Sequence, residues 1–369
     1  MSKLRGVNLG EWLVLEKWMD TSMFEGTTAT DEYNLCKMLD TDEKLRRFKY
    51  HRDTYITKED IGFIKDCGLN SIRLPIPHFV FGDDPRFCGD YVGCIEYVDK
   101  CISWAEEFGL KVMLDIHTAP DCANGFDNGG ICGVCKWHHK KENIDRMIQV
   151  LGMLADRYGK REGLLGIELL NEPASEDVWE RNKRNYEAHD KEFAKGSSAV
   201  PSDILFDFYT RGYEEIRRYM GEDKTVFFHD AFRFELWKNF FKESNFKNVA
   251  LDSHWYLDMG DATERTSDLI HLNRVMVEQR ELIRDIQEVV PLIIGEWSLP
   301  HAKEFGMSDS EKYYSYRMLA SAMLMTWERA YGHFFWSYKV KDRTRLGWDF
   351  RMCIDRDWLP SKFDQTEEK

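Results

Sequence analysis

The sequence predicts an α/β fold in which eight strand–helix units close into a (β/α)8 TIM barrel, with long loop insertions over the face where the strands end. The first observation behind this prediction is that short apolar segments alternate with amphipathic helical segments along the 369 residues. The second is that no glycine-rich phosphate loop follows the first apolar segment, which disfavours the alternative, an open doubly wound sheet that binds a nucleotide.

Eight apolar segments have the length and the flanking turn residues of buried parallel strands. They cover residues 4–8, 70–75, 111–117, 164–171, 224–229, 248–254, 291–296 and 332–337. Helical spacing of apolar residues between them predicts amphipathic helices. The clearest of these helices are 91–108, which Gly109 should cap, 143–158, 203–220 and 311–328.

We expect a single catalytic domain over residues 1–369, because no linker, repeat or low-complexity segment divides the chain. Two polar insertions, 20–58 after the first strand and 174–201 after the fourth, follow strand ends and should therefore rise over the catalytic face. The polar residues 361–369 are predicted to be a flexible tail.

The charge balance excludes some classes of partner. Lys and Arg number 51 and Asp and Glu 65, a net charge of −14, which argues against binding to nucleic acid or to an anionic membrane. We expect no membrane span, since no window approaches 18 apolar residues. The segment 1–5 leads into the first strand without the apolar stretch of a signal peptide, and nine Cys is an odd number, so we expect reduced thiols and a cytoplasmic location.

Two predicted strands end in a glutamate. Glu172 follows the apolar run of the fourth strand, and Glu296 follows that of the seventh. Burying a carboxylate is costly, and parallel strand ends meet at one face, so the two should form the facing pair that breaks glycosidic bonds. Arg73, at the end of the second strand, is expected to lower the pKa of Glu296, which leaves Glu172 as the acid.

Five sequence segments carry a resemblance to a known family: 6–16 (GVNLGEWLVLE), 115–120 (DIHTAP), 124–128 (NGFDN), 166–173 (GIELLNEP) and 295–298 (GEWS). Together they resemble glycoside hydrolase family 5, in the retaining clan A, and they are most similar to its exo-β-1,3-glucanase and β-glucosidase-like branch. The resemblance implies a retaining, exo-acting enzyme without cofactor or metal. Its substrate would be a β-linked gluco-oligosaccharide or a small β-glucoside.

The resemblance also implies roles for individual residues. Glu172 is similar to the acid/base and Glu296 to the nucleophile of the family. Arg73 is similar to the arginine beside the nucleophile, Tyr256 would donate to Glu296, and Asn171 would bind the sugar 2-hydroxyl. The remaining supporting positions are Glu16 and His117 for other hydroxyls, His254 beside Tyr256, Trp336 as a stacking platform, and Phe126 and Asn128 at the pocket entrance.

Four features depart from the pattern of the branch and bear on the leaving-group side and the linkage. Glu11 replaces a common glycine, Lys17 replaces a frequent proline, and Met259 stands where an aromatic rim residue is usual. The loop 121–123 is also altered.

Several alternatives stay open at this stage. An endo-β-glucanase of the same family or a non-catalytic sugar-binding barrel is possible, although the latter would lack one glutamate. A metal-dependent hydrolase would need His-x-His on the first strand, which offers Asn8 instead. Cys132, Cys135 and His138 have zinc-like spacing, with ordinary thiols as the alternative. The sequence does not fix the linkage or the oligomeric state.

Overall fold

A computed structural model describes residues 3–83, 91–257, 268–300 and 307–364. Within these residues eight parallel strands close into a barrel in chain order, so the predicted fold is confirmed. The strands are β1 Leu4–Asn8, β2 Ser71–Ile76, β3 Lys111–Ile116, β4 Leu164–Glu168, β5 Thr225–His229, β6 Val249–His254, β7 Leu292–Trp297 and β8 Gly332–Phe335.

Helices surround the barrel and fill the connections between its strands. The α-helices are α1 Glu32–Met38, α2 Thr41–Thr54, α3 Lys58–Asp66, α4 Ile95–Phe108, α5 Lys141–Tyr158, α6 Glu176–Asn185, α7 Lys191–Ala194, α8 Ser202–Arg217, α9 Trp237–Glu243, α10 Asp268–Asn273, α11 Arg280–Ile286, α12 Asp309–Trp327 and α13 Phe350–Asp355. Short 3-10 helices cover Thr21–Phe24, Trp137–His139, Phe234–Leu236 and Leu346–Trp348, and a π-helix covers Arg274–Gln279.

The start of α4 differs from the prediction, which placed it at residue 91. Arg52 binds the carbonyl groups of Val92 and Gly93 at 3.0 and 2.8 Å, and the amide of Cys94 donates to Val80. These contacts hold the segment in a non-helical path. The predicted end is confirmed, because Gly109 caps the helix in the left-handed conformation with φ 68°.

The fourth strand is shorter than predicted and ends at Glu168. Beyond it, the amide of Asn171 donates to the carbonyl of Ile116 at 2.9 Å, and Glu172 has φ 47°. The chain therefore leaves the sheet geometry just before the glutamate and turns it over the mouth of the barrel.

The barrel interior is filled by two layers of different polarity. The lower layer is apolar and consists of Leu4, Met113, Phe227, Ala250, Ile293 and Phe334. Side chains two residues further along β3 and β6 point inward again because a strand has a period of two. At that height Arg73, Asp115, Glu168 and Asp252 form a fully buried charged layer, which is the floor of the mouth.

Both insertions have defined structure. Residues 20–58 contain the first 3-10 helix with α1 and α2, and the amide of Tyr33 ties them to the carbonyl of Gly130 in the loop after β3 at 3.2 Å. Residues 174–201 contain α6 and α7.

The described part of the predicted tail is packed, which corrects the prediction of flexibility for 361–364. Phe363 is 2 % exposed and its amide donates to the carbonyl of Cys67 at 2.9 Å. Residues 365–369 and Met259 lie outside the described residues. Within the described ranges, no helix combines the length and apolar character that crossing a bilayer requires.

Candidate active site

A cavity of about 370 Å³ opens at the mouth of the barrel. Seven of the eleven site residues expected from the sequence line it: Glu16, Phe126, Asn128, Glu172, Tyr256, Glu296 and Trp336. Five further lining residues were not predicted: Trp18, Asp127, Tyr186, Arg345 and Trp348. The fold thus brings strand ends from opposite sides of the barrel into one pocket.

The two glutamates meet at one imidazole. Nδ1 of His254 lies 2.8 Å from Oε1 of Glu172 and 3.4 Å from Oε2 of Glu296. These two carboxylate oxygens can lie no further apart than the sum of the two distances. That sum is shorter than roughly 6.5 Å, the smallest carboxyl separation typical of inverting enzymes. These two oxygens are therefore closer than the carboxyl spacing of inverting enzymes, as a retaining mechanism requires.

Glu296 is fixed by two donors. Nη1 of Arg73 donates to Oε1 at 2.8 Å and the hydroxyl of Tyr256 donates to Oε2 at 2.7 Å. The glycine before it is required, because a Cβ at Gly295 would lie 2.1 Å from a carboxylate oxygen of Asp252. The amide of Gly295 instead donates to Oδ1 of Asp252 at 2.8 Å, which places the glutamate at the strand end.

Arg73 is the cation of the charged layer. Its Nη2 lies 2.8 Å from Glu168 Oε2 and 3.1 Å from Asp115 Oδ2, and Nη1 donates to Asn8 Oδ1 at 3.1 Å. A buried carboxylate is tolerated when it is paired and hydrogen-bonded. Glu168 is therefore a buried carboxylate that is paired with a cation.

Glu172 is held from the other side by Asn128, whose Nδ2 donates to Oε2 at 3.1 Å. Its backbone adopts the left-handed region with φ 47°, which is unfavourable for a residue with a Cβ. Such strained residues cluster at functional sites, where the surrounding contacts maintain them.

Four of the expected residues, Arg73, His117, Asn171 and His254, are buried behind the residues that line the cavity. Oδ1 of Asn171 accepts from Arg73 at 2.8 Å, and its Nδ2 lies 3.4 Å from His117 Nε2. The ring of His117 stacks on Trp336, with centroids 5.5 Å apart and planes 8° apart. In this arrangement His117 and Asn171 support the pocket wall, and their contact with sugar hydroxyls stays a prediction.

The pKa shifts of the pair run opposite to the sequence-based expectation. Burial raises the pKa of Glu296 and outweighs the lowering by the cations His254 and Arg73, so its pKa lies above the ordinary value. Burial also raises the pKa of Glu172, but the hydrogen bond and charge of His254 bring it below the ordinary value. Arg73 lowers the pKa of Glu296 as expected, but burial raises this pKa by more.

His254 accounts for the lowered pKa of Glu172. Burial lowers its pKa, but the negative charges of Glu296 and Asp252 and the hydrogen bond to Glu172 raise it well above the ordinary value. These neighbours favour the imidazolium form, in which Nδ1 can donate a hydrogen bond to Glu172.

Glu16 contributes a third carboxylate to the pocket. Its Oε2 accepts from the indole nitrogen of Trp18 at 2.9 Å, while its buried Oε1 has no hydrogen-bond partner among the described residues. Burial and the charge of Asp127 raise the pKa of Glu16 well above its ordinary value. An acidic group with a free oxygen at the edge of the pocket suits a sugar hydroxyl.

Potential metal ligands converge in two buried groups, Glu172 with His229 and His254, and Glu168 with Asp252 and His254. Arg73 already binds Glu168, and His254 already bridges the catalytic pair, so these side chains form a hydrogen-bonded network. The zinc alternative is not supported. Among the described residues Cys132, Cys135 and His138 do not bring three ligand atoms close enough together to hold one ion, and His138 Nε2 lies 3.1 Å from Ser198 Oγ.

Comparison with known proteins agrees with this geometry. The chain is 29 % identical over 412 residues to the glucan 1,3-beta-glucosidase of Blumeria graminis, covering 99 % of this chain and 88 % of that one. It is 32 % identical over 301 residues to the probable glucan 1,3-beta-glucosidase A of Emericella nidulans, covering 80 % and 67 %. The barrel is similar to the rutinosidase from Aspergillus niger, with a TM-score of 0.79 at 20 % identity and coverage of 96 % and 97 %.

The match to a whole family covers most of the chain. Residues 36–342 match the profile described as cellulase, glycosyl hydrolase family 5. The resemblance inferred from the strand-end motifs is thereby confirmed, and the chain belongs to glycosyl hydrolase family 5.

Proposed function

We propose that this glycosidase is an exo-acting β-glucosidase that removes glucose from short β-glucans or β-glucosides with retention of configuration. The observation that carries the proposal is the pair Glu172 and Glu296, both within hydrogen-bonding or ion-pair distance of the same His254 nitrogen. This is the arrangement that supports a double displacement through a glycosyl ester.

With Glu296 as nucleophile and Glu172 as acid and base, hydrolysis of the glycosidic bond proceeds in two steps. In the first, a carboxylate oxygen of Glu296 bonds to the anomeric carbon while the glycosidic bond breaks, and the leaving oxygen takes a proton from Glu172. In the second, Glu172 takes a proton from water, the water oxygen bonds to the same carbon, and the ester bond to Glu296 breaks with its electron pair returning to the carboxylate. Both residues end as they began.

The hydrogen bond between His254 and Glu172 offers a route to the acid form. A proton that moves from Nδ1 to Oε1 across 2.8 Å gives a neutral imidazole and a protonated Glu172. Without the imidazolium beside it, burial alone favours the protonated carboxyl. Arg73 and Tyr256 meanwhile continue to donate to Glu296, which stabilises its ionised form.

The substrate preference is supported by the relatives and by the loops. Curated relatives that cover most of the chain are named glucan 1,3-beta-glucosidases, so we propose a β-1,3-linked glucan as the preferred substrate. Loops after β1, β3, β4 and β8 contribute Trp18, Asp127, Tyr186 and Arg345 to the cavity. A cavity that loops enclose on several sides accommodates a terminal sugar better than a sugar in the middle of a long chain.

We also propose a cytoplasmic location. The support is that Cys36, Cys67, Cys94, Cys101, Cys122, Cys132, Cys135 and Cys353 are buried free thiols, which suits a reducing compartment. Fractionation of cells that express the tagged protein tests this, and recovery from the medium would contradict it.

The catalytic assignment is tested with two variants and two substrates. Glu296→Ala should reduce turnover of every β-glucoside by at least about 10⁴-fold, because no ester can form. Glu172→Ala should lose about 10²-fold or more on glucosides with poor leaving groups and far less on 2,4-dinitrophenyl β-glucoside, which needs little acid assistance. Glu288→Ala, at an exposed glutamate outside the pocket, is the matched control.

The products test the stereochemistry. NMR of the first turnovers should show β-glucose, as expected for a double displacement. An α-anomer would contradict the proposal, as would full activity of Glu296→Ala on the activated glucoside. Sugar binding without hydrolysis by the wild-type protein would favour the non-catalytic alternative.

A further inference from the structure

A buried histidine at the end of β5 lies beside the acid/base but takes no part in the two reaction steps. His229 is completely buried, and its ring lies against that of His254, with centroids 4.4 Å apart and planes 83° apart. One ring nitrogen of His229, one of His254 and a carboxylate oxygen of Glu172 all lie within 4.8 Å of one another. His229 is therefore close enough to influence the protonation and the position of Glu172.

The two nitrogens of His229 have different surroundings. Nδ1 accepts a hydrogen bond from the backbone amide of Ala231 at 2.9 Å. A ring nitrogen that accepts carries a lone pair, so the proton of the neutral imidazole is on Nε2. Burial and nearby positive charge, above all that of His254, hold the pKa of His229 well below its ordinary value. The ring therefore stays neutral and offers one N–H donor.

This donor has no acceptor among the described residues, because Nε2 of His229 is buried without a hydrogen-bond partner. Since Nδ1 is occupied by the Ala231 amide, Nε2 is the nitrogen that remains available to Glu172. A movement on the order of 2 Å brings such neighbours to the hydrogen-bond distance of about 2.9 Å. An unpaired buried N–H group is costly, so native proteins retain one where another state of the site supplies its acceptor.

The backbone after His229 fixes the orientation of its ring. Ala231 and Phe232 both adopt the left-handed region, with φ 52° and 56°, which is unfavourable for residues with a Cβ. Asp230 supports this turn, since its Oδ1 accepts from the amide of Phe232 at 2.8 Å and its Oδ2 accepts from the hydroxyl of Ser253. Strained backbone of this kind persists near functional sites, where the surrounding contacts maintain it.

The proton route through His254 creates a need for the Nε2 donor. When Nδ1 of His254 has passed its proton to Oε1 of Glu172 and the leaving oxygen has taken it, Nδ1 presents a lone pair to a carboxylate oxygen 2.8 Å away. Asn128 still donates to Oε2, but Oε1 has lost its donor. A buried carboxylate oxygen without a donor is costly, and nothing then holds it toward the anomeric carbon.

We propose that His229 is a positioning residue that replaces this donor: in the glycosyl-ester intermediate its Nε2–H donates to the Glu172 carboxylate and holds the base for the second step. No proton leaves or joins His229, because its ring stays neutral and only a hydrogen bond forms and breaks. The proposal rests on the proposed function, since it concerns the acid/base of the same reaction. Loss of the Nε2 donor should therefore slow hydrolysis of the ester and spare its formation.

Two variants separate the nitrogens. The side-chain oxygen of Asn can replace Nδ1 as acceptor for the Ala231 amide, whereas the amide nitrogen of Gln can replace Nε2 as donor. With 2,4-dinitrophenyl β-glucoside, His229→Asn should lower kcat about tenfold with a parallel fall in KM, because only ester hydrolysis slows. Rapid mixing should show a burst of dinitrophenolate before the slow steady phase. His229→Gln should keep the wild-type kcat but lower Tm, and His189→Asn, at an exposed histidine, is the matched control.

Wild-type kcat in His229→Asn would overturn the proposal, as would equal losses of kcat in both variants together with a lower Tm, which would show a structural role alone. The wild-type protein provides a test that does not depend on the folding of a variant. In a crystal structure of the ester trapped with 2,4-dinitrophenyl 2-deoxy-2-fluoro-β-glucoside, His229 Nε2 should lie within about 3.2 Å of a Glu172 oxygen. A longer separation in the ester would contradict the proposal, whereas failure of the wild-type protein to form an ester on Glu296 would refute the proposed function instead.

Discussion

His254 links the protonation of both catalytic carboxylates. Its Nδ1 faces Glu172 and Glu296, and Nε2 lies 3.6 Å from Oδ2 of Asp252. Burial raises the pKa of both glutamates, and His254 opposes this rise more strongly than any other neighbour of either carboxylate. The pH range of activity is therefore set in large part by one imidazole.

We predict that His254→Gln moves the pH profile of kcat/KM to higher pH. The variant removes the positive charge, so the pKa of Glu296 and that of Glu172 both rise. The acid limb, which reports ionisation of the nucleophile, and the basic limb, which reports loss of the acid proton, should both shift upward. The measurement is kcat/KM on an aryl β-glucoside from pH 4 to 9. His189→Gln, at an exposed histidine, is the control, and an unshifted profile would refute the prediction.

Glu11, which departs from the pattern of the branch, lies in the loop between β1 and Glu16. Its backbone is left-handed with φ 67°, its side chain is buried, and Oε2 accepts the amide proton of Glu16. Burial raises its pKa well above the ordinary value, while the bond to the Glu16 amide lowers it. Glu11 is thus a positioning residue for the loop that carries Glu16 and Trp18.

We predict that Glu11→Gly raises KM for β-glucosides several-fold without lowering Tm. The amide of Glu16 loses its acceptor, so the loop that holds the pocket carboxylate moves. At the same time, glycine relieves the left-handed strain, which is worth about 1 kcal/mol. Glu11→Gln keeps the acceptor and should restore KM. A wild-type KM in Glu11→Gly, or a lower Tm with unchanged KM, would show a purely structural role.

The strand elements could be predicted because their signal is local. Each described strand begins within one residue of its predicted start, since buried parallel strands are short apolar runs between turn residues. Strand ends were less predictable. β4 stops at Glu168, and beyond it the backbone changes partner: the amide of Leu169 donates to Phe227 of β5, whereas that of Asn171 donates to Ile116 at the end of β3. Such contacts join residues distant in sequence.

An ion pair stabilises the junction of the first and last strands, in addition to the backbone hydrogen bonds between β1 and β8. Arg5 of β1 binds Glu328, before β8, through Nε at 2.7 Å and Nη2 at 2.9 Å, and His333 Nε2 lies 3.3 Å from the same carboxylate. Burial raises the pKa of Glu328, but the hydrogen bonds from His333 and Arg5 lower it to about 2. The carboxylate therefore stabilises the closed barrel in its ionised form.

We predict that Glu328→Gln lowers stability by about 2 kcal/mol at pH 7, and that this difference shrinks as the pH falls. The folded pKa lies below the unfolded value of about 4.3, so the ion pair contributes fully above that pH and loses its contribution as the pH approaches 2. Thermal unfolding of both proteins between pH 7 and pH 3 measures this. A Tm difference that is constant with pH would contradict the ionic contribution.

At the scale of the molecule, the loops decide what reaches the catalytic pair. Trp18 and Trp348 line the pocket with ring centroids 5.2 Å apart, although they lie far apart in the chain. Neither follows a strand directly, and neither has periodic neighbours, so no local signal distinguished them from other tryptophans. The catalytic glutamates were predictable because each follows a short apolar run in the sequence, whereas the pocket walls depend on how separate loops meet.

We predict that the enzyme releases glucose from chain ends. With β-1,3-linked gluco-oligosaccharides of increasing length, glucose should be the first product at every length, because walls from four loops enclose the terminal unit. Chromatography of early time points measures this. Intermediate-length products from mid-chain cleavage would contradict the prediction and favour the endo-glucanase alternative.

The pairing of β1 with β8 has a consequence for synthesis of the protein. One edge of β1 pairs with β2, but its other edge pairs with Gly332–Phe335, so the ring of strands stays open until residues 332–335 have left the ribosome. Nascent chains that stop short of residue 335 therefore expose an unpaired strand edge, which makes premature termination products good substrates for chaperones and proteases.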